Sequence, residues 1–373
     1  MIPDAARRYT RILLGLCLLL PRLAAAQQGE TGPAQAVVVG AYAQGAFIIA
    51  HTPRVRHLVR AHPTGLELNF QRQTRGEQPW HAWHRYPRVG LALLYYDYHN
   101  ATLGRSYGAG VYLSKPLWRT ARQELNFRLG GGLGWFSQAF DQATNHKNTF
   151  VSSRLNALIL ARVEYDVALS DHLGLLAGLG LNHYSNGATT KPNLGINMPT
   201  LVLGLNMHTQ RPFRPLDQPP APEPADVGYF FLNLSSSLGY KQRNETDTRK
   251  YLVNSVTVAG GRRMNRKSNL LLGLEGFYDR SLRAELRDTA DTSRPLPDVK
   301  KAGVFLGHEL LFGRLAFVTH LGFYVYNPYK SNKFYYERIG LKYHLTDHLF
   351  GALDLKVHRG AADVLEFKLG AKL

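Results

Sequence analysis

The chain has 373 residues and a formal net charge of +18, with 45 lysines and arginines against 27 aspartates and glutamates. Such an excess favours acidic partners. The one cysteine, Cys17, lies in a leader-like segment. Its removal would leave no thiol, so disulfide frameworks and thiol chemistry are excluded.

Residues 1–26 read as a signal peptide. Arg7, Arg8 and Arg11 make a basic start, Ile12 to Leu20 a short apolar run, and Ala24-Ala25-Ala26 a small-residue cleavage site. Four arginines against Asp4 go with it, leaving about +15 on the remainder. Export argues against nucleic acid as the partner. Anionic lipid headgroups, lipopolysaccharide phosphates above all, suit an exported basic protein better.

No later stretch is long and apolar enough for a spanning helix, which needs about 20 residues. The chain instead alternates polarity in segments of roughly ten residues, as transmembrane β-strands do. Strand-like segments lie near 35–50, 64–73, 86–98, 106–116, 122–136, 148–168, 172–185 and 195–208. Residues 210–225 are rich in proline, which lacks the N–H a ladder requires, and form a connector. Roughly seven or eight further strands follow from Val227 to Leu373. In the last of them Leu365, Phe367, Leu369, Ala371 and Leu373 alternate with Val364, Glu366, Lys368, Gly370 and Lys372.

A closed barrel satisfies every backbone group within lipid. The expected fold is therefore an all-β transmembrane barrel of the outer membrane, with about 14–16 antiparallel strands in one barrel. An eight-stranded barrel followed by a second β-domain is the alternative. The expected divisions are the leader 1–26, a first half 27–209, the connector 210–225 and C-terminal strands 226–373. Tyrosines bunched at strand ends (Tyr95, Tyr96, Tyr98; Tyr324, Tyr326, Tyr329; Tyr335, Tyr336) suggest interfacial girdles.

The seventh strand ends in Asn182-His183-Tyr184-Ser185-Asn186, and Pro192-Asn193-Leu194-Gly195-Ile196-Asn197 opens the eighth. Residues i and i+2 of a strand share a face. His183 and Ser185 thus project together, on the face of Ala177, Leu179 and Leu181. A serine needs a base for its proton and donors for the oxyanion. His183 is the base in phase. An antiparallel hairpin brings Asn197 beside it, and Asn193 in the loop could turn its amide to the same spot. Such a pair on an apolar face points to an esterase acting at a lipid surface.

His-Tyr-Ser-Asn followed by Pro-Asn-x-Gly-Ile resembles the outer-membrane lipid A 3-O-deacylases, the PagL or acyloxyacyl hydrolase-like family. The resemblance is specific over 178–208, looser over 34–177, and absent beyond 226. It implies a cofactor-free outer-membrane hydrolase of a Gram-negative bacterium that removes an acyl chain from lipid A, with a triad at the rim facing lipid. Carried across, Ser185 is the nucleophile and His183 the base. Asn193 supplies an oxyanion donor, helped by a backbone amide near Gly187, and Asn186 supports them. The family's orienting glutamate is replaced by Asn197; Glu309 and Asp363 are candidates for a substitute acid. A porin-like or structural barrel retaining the motif is the alternative reading. Oligomeric state stays open.

Other signals carry less. His308-Glu309 lacks the second histidine of a zinc motif, because Phe312 stands in its place. Gly130-Gly131-Gly132-Leu133-Gly134 sits within a strand pattern and suits close backbone packing better than phosphate binding. No metal is assigned.

Overall fold

The computed structural model describes residues 36–209, 213, 215, 227–289, 295–329 and 333–373. The leader with Cys17, and nearly all of the proline-rich connector, lie outside the described residues. Within them no helix is long and apolar enough to cross a membrane.

Among the described residues, sixteen antiparallel strands close as two barrels of eight, not as one larger barrel. The first barrel comprises β1 (Val37–Ala46), β2 (Thr64–Gln73), β3 (Arg88–Asp97), β4 (Arg105–Arg119), β5 (Gln123–Phe136), β6 (Leu155–Ala168), β7 (Leu173–Ser185) and β8 (Ile196–His208). Pairing of β1 with β8, from Val38 opposite His208 to Ala46 opposite Thr200, closes it. The second barrel comprises β9 (Phe230–Gln242), β10 (Lys250–Asn265), β11 (Ser268–Asp279), β12 (Lys301–Phe312), β13 (Leu315–Tyr326), β14 (Tyr335–His344), β15 (Leu349–His358) and β16 (Ala361–Lys372). It is closed by β16 on β9. Strand alternation reads the same in either arrangement; only the closing pairs separate them.

The alternation sorts residues by face. Leu175, Leu179, Leu201, Leu203 and Leu205 are exposed outside the first barrel, and Leu272, Leu274, Leu306, Phe367 and Leu369 outside the second. These belts of apolar side chains suit lipid. Charges turn inward. In the first barrel Arg128 meets Glu67 at 2.7 Å and Glu164 at 3.2 Å, and Arg162 also pairs with Glu67. In the second, Arg338 pairs with Glu275 and Glu366, while Lys368 meets Asp354 at 2.6 Å. Eight strands leave a bore that side chains can fill, and these networks occupy both, leaving in the second a small cavity among Asn233, Thr257, His320 and Lys368.

Tyrosine follows the same rule, which corrects the girdle expectation. Tyr96, Tyr98 and Tyr336 are fully buried inside, because alternation sends every second aromatic into the bore. Tyr95 instead meets Tyr107, a cross-strand partner with rings 5.4 Å apart.

The barrels touch at both ends. At the end bearing the long loops, Gln242 N donates to Ala188 O at 3.0 Å and Lys191 N to Gln242 Oε1 at 3.2 Å. Lys250 Nζ donates to Thr189 O, and Arg54 pairs with Glu245. Gly187, at φ +62°, faces Leu365 so closely that a Cβ there would lie 3.0 Å from the Leu365 Cβ. At the opposite end a short helix, α1 (Pro79–Trp83), and His84 lie against the β12–β13 turn. The His84 ring lies 4.3 Å from that of Phe312, and its Nε2 donates to Leu311 O at 2.7 Å.

Candidate active site

Strand β7 pairs β8 with Leu181 opposite Pro199, His183 opposite Asn197 and Tyr184 opposite Ile196. His183 and Asn197 therefore meet on the outer face at the loop end. His183 Nδ1 donates to Asn197 Oδ1 at 2.7 Å. This is the only side-chain hydrogen bond of His183 among the described residues.

Ser185 follows on the same face, at the last position of β7, and is only 6% exposed although it points outward. Gly195, at φ +72°, opens the space between the pair. A Cβ there would stand 3.0 Å from His183 Cε1 and 3.5 Å from Ser185 Cβ. A side chain at 195 would thus be strained and would crowd both residues. No hydrogen bond joins Ser185 Oγ to His183 among the described residues; the two are adjacent and unengaged.

The loop between the strands is held by its own amides. Asn193 Oδ1 accepts from Asn186 N at 3.2 Å, the backbone amide that follows Ser185. Asn186 Nδ2 reaches Ser152, Ser153 and Thr190 hydroxyls at 3.2, 3.1 and 2.9 Å, tying this loop to the β5–β6 loop. Gly187 and Ala188 are buried against the second barrel.

The two candidate substitute acids lie elsewhere. Glu309 is inside the second barrel, bonded to Lys342 at 2.9 Å and Asn269 at 2.8 Å. Asp363 is held by Lys241 at 2.7 Å in that barrel's loop-end mouth. Neither reaches His183.

The sequence reading missed His51, in the loop after β1. Its Nε2 lies 3.0 Å from Leu194 O, and its Nδ1 lies 3.2 Å from Ile49 O and 3.4 Å from Asn197 Nδ2; in the tautomer that donates from Nε2 to Leu194, Nδ1 accepts from the Asn197 amide. A chain of polarised groups results, from Leu194 through His51 and Asn197 to His183. Each link sets the orientation of the next, and the last leaves His183 Nε2 with a lone pair. No short spacing announces His51, which stands 146 residues before Asn197.

Among the described residues no group of three or more His, Cys, Asp or Glu side chains could hold a metal ion.

Two family models match the chain. One, described as lipid A 3-O-deacylase (PagL), covers residues 64–206. The other, described as acyloxyacyl hydrolase, C-terminal domain, covers residues 229–373. The second match gives a family to the region past 226, where the sequence resemblance had none. No curated protein matches the chain significantly. Among solved structures, the Neisserial surface protein NspA is 13% identical, with 46% of this chain and 97% of that one covered and a TM-score of 0.33. A porin of Rh. blastica is 8% identical, covering 90% of this chain and 100% of its own, with a TM-score of 0.18. The P. putida toluene transporter TodX is 9% identical, with 91% and 88% covered and a TM-score of 0.18.

Proposed function

The chain belongs to the PagL lipid A 3-O-deacylase and acyloxyacyl hydrolase C-terminal domain families, and from that membership we propose an outer-membrane serine esterase that removes an ester-linked acyl chain from lipid A. The observation that carries it is the 2.7 Å bond from His183 Nδ1 to Asn197 Oδ1, beside Ser185 on the outer face of the barrel.

Ser185 Oγ attacks the ester carbonyl while His183 Nε2 takes its proton. Catalytic hydrogen bonds often tighten only when substrate is bound, so the unengaged pair is compatible with this step. The carbonyl oxygen becomes an oxyanion, met by the Asn193 NH2 and a backbone N–H near Gly187. Collapse expels the sugar alkoxide, which takes the proton back from His183. Water then attacks the acyl-serine, again giving a proton to His183, and the fatty acid leaves as Ser185 regains its hydrogen.

Asn197 accepts the imidazole N–H as a carboxylate would, but cannot offset the imidazolium charge. The position of the pair among apolar side chains lets the lipid enter laterally from the outer leaflet. The filled bores disfavour the porin-like alternative. The missing carboxylate is what favours a non-catalytic barrel.

The test is mass spectrometry of lipid A from cells expressing wild type or Ser185→Ala. A mass loss of one hydroxy-acyl chain with the wild type alone supports the esterase. Unchanged lipid A in both, with the protein folded in the outer membrane, turns the assignment to the non-catalytic barrel.

A further inference from the structure

The loop-end mouth of the second barrel holds more ammonium groups than carboxylates. Lys241 is clamped between Asp279 at 2.5 Å and Asp363 at 2.7 Å. Lys356 lies 3.8 Å from Asp363 and 3.7 Å from the Phe277 ring centre. Both carboxylates are thereby occupied, and His358 adds a contact to Asp363 at 3.6 Å.

Three further lysines converge on the same place. Lys301, the first residue of β12, is only 9% exposed. Its Nζ faces the Tyr324 ring at 5.2 Å and meets no carboxylate among the described residues. Tyr324 also lies 5.3 Å from Lys356 Nζ, so the two cations share one ring. Lys191 comes from the first barrel, brought in by its backbone bond to Gln242, the neighbour of Lys241. Burial and the Lys241 ammonium hold Lys191 below the ordinary lysine range. Lys333, exposed just before β14, precedes Phe334, whose carbonyl accepts from Tyr324 N at 2.9 Å, so it stands beside the residue whose ring Lys301 and Lys356 share. The next carboxylate, Glu245, is taken by Arg54.

Five ammonium groups thus face two carboxylates. A buried, uncompensated cation is costly unless a partner supplies the opposite charge. Phosphate does so with several strong acceptor oxygens, and lysines bind it as point charges. We propose that Lys191, Lys301 and Lys333 form an anion site that takes a phosphate group on the sugar headgroup of the lipid whose acyl chain reaches Ser185. The link to Ser185 rests on the esterase reading; the anion site does not. Lys191 belongs to the same loop as Asn186 and Asn193, so an occupied site would brace the segment that carries the oxyanion donors.

The experiment uses the full-length Ser185→Ala protein in detergent micelles, so that binding is read without turnover. Affinities are measured for bis-phosphorylated lipid A, for the same lipid stripped of phosphate, and for inorganic pyrophosphate. Phosphorylated lipid A is expected to bind at least about tenfold more tightly than the stripped form. Changing Lys191, Lys301 and Lys333 together to Gln should abolish that preference, and Lys301→Arg should keep it. Equal affinities for the two lipids, or a preference that survives the triple change, would overturn the site. Pyrophosphate binding as tight as lipid A would overturn the headgroup assignment in favour of free phosphate. Failure of the wild type to hydrolyse lipid A would sink the esterase reading and leave these binding results standing.

Discussion

His51→Phe tests the link that orients Asn197. Phenylalanine keeps the ring, whose centre lies 6.4 Å from that of Phe150, but removes the nitrogen facing Asn197 Nδ2 together with the one bonded to Leu194 O. In the native arrangement the nitrogen facing Asn197 favours the amide orientation in which Oδ1 meets His183 Nδ1. A flipped amide presents NH2 to the imidazole and selects the tautomer whose Nε2 carries a hydrogen, which cannot accept the proton of Ser185. One neutral hydrogen bond contributes about 0.5–1.5 kcal/mol. Its loss shifts the amide equilibrium by about two- to tenfold and lowers kcat by up to that factor. KM should change little, because His51 is not placed against substrate. The assay is steady-state release of fatty acid from lipid A in mixed micelles. Repeating the substitution in an Asn197→Asp background closes a double-mutant cycle. A carboxylate has no amide orientation to lose, so His51→Phe should then cost almost nothing. A kcat unchanged in the Asn197 background, or an equal fall in both backgrounds, would refute the orienting role.

Four further outcomes are expected. Asn197→Glu, which restores the family's carboxylate, should raise kcat for lipid A; an unchanged or lower rate would mean that the asparagine is adapted to its place. Gly195→Ala should lower activity sharply, since a left-handed non-glycine residue costs about 1–2 kcal/mol and the new methyl crowds His183 Cε1; fatty-acid release with protein of native gel mobility checks it. Glu67→Gln, which leaves Arg128 and Arg162 without their shared carboxylate, should cost about 3–5 kcal/mol in urea unfolding from micelles. His84 gives the contact between the barrels a pH dependence: burial holds it down to about 4, and its Nδ1 has no partner for a second proton. Undocked, it would titrate near 6.5, so the separated state binds more protons between these values. Docking is then fully stabilised above about pH 6.5 and weakens as the pH falls toward 4. Amide exchange of residues 74–87 should quicken from pH 7 to pH 5 after correction for intrinsic rates, and not in His84→Phe.

Much of this arrangement was legible because strand alternation is a local property. The strand segments, the outward face of Ala177, Leu179 and Leu181, and the meeting of His183 with Asn197 across a hairpin all follow from period two and a short loop. Barrel closure is not local. Whether β8 returns to β1 or continues into β9 depends on ladder bonds between residues such as Val38 and His208, 170 positions apart in sequence, and both outcomes use the same alternating strands. His51 was illegible for the same reason. A histidine in a loop reads as surface until the fold sets it beside Asn197. The tyrosines misled in a different way: clustering was visible, but the face of each depends on register, and Tyr96 went inside while Tyr95 stayed out.

The contacts between the barrels have a consequence for how the molecule holds together. The joint is small: hydrogen bonds around Gln242, the Lys250 and Arg54 contacts and the Gly187–Leu365 packing at one end, and the turn at His84 at the other. The segment from 209 to 229 makes their meeting intramolecular, which raises the effective concentration of each barrel at the other. Because each barrel has an even number of strands, each starts and finishes at the same end. The tether therefore never has to cross the membrane. The covalent link keeps so small an interface populated, and with it part of the perimeter of the first barrel stays shielded.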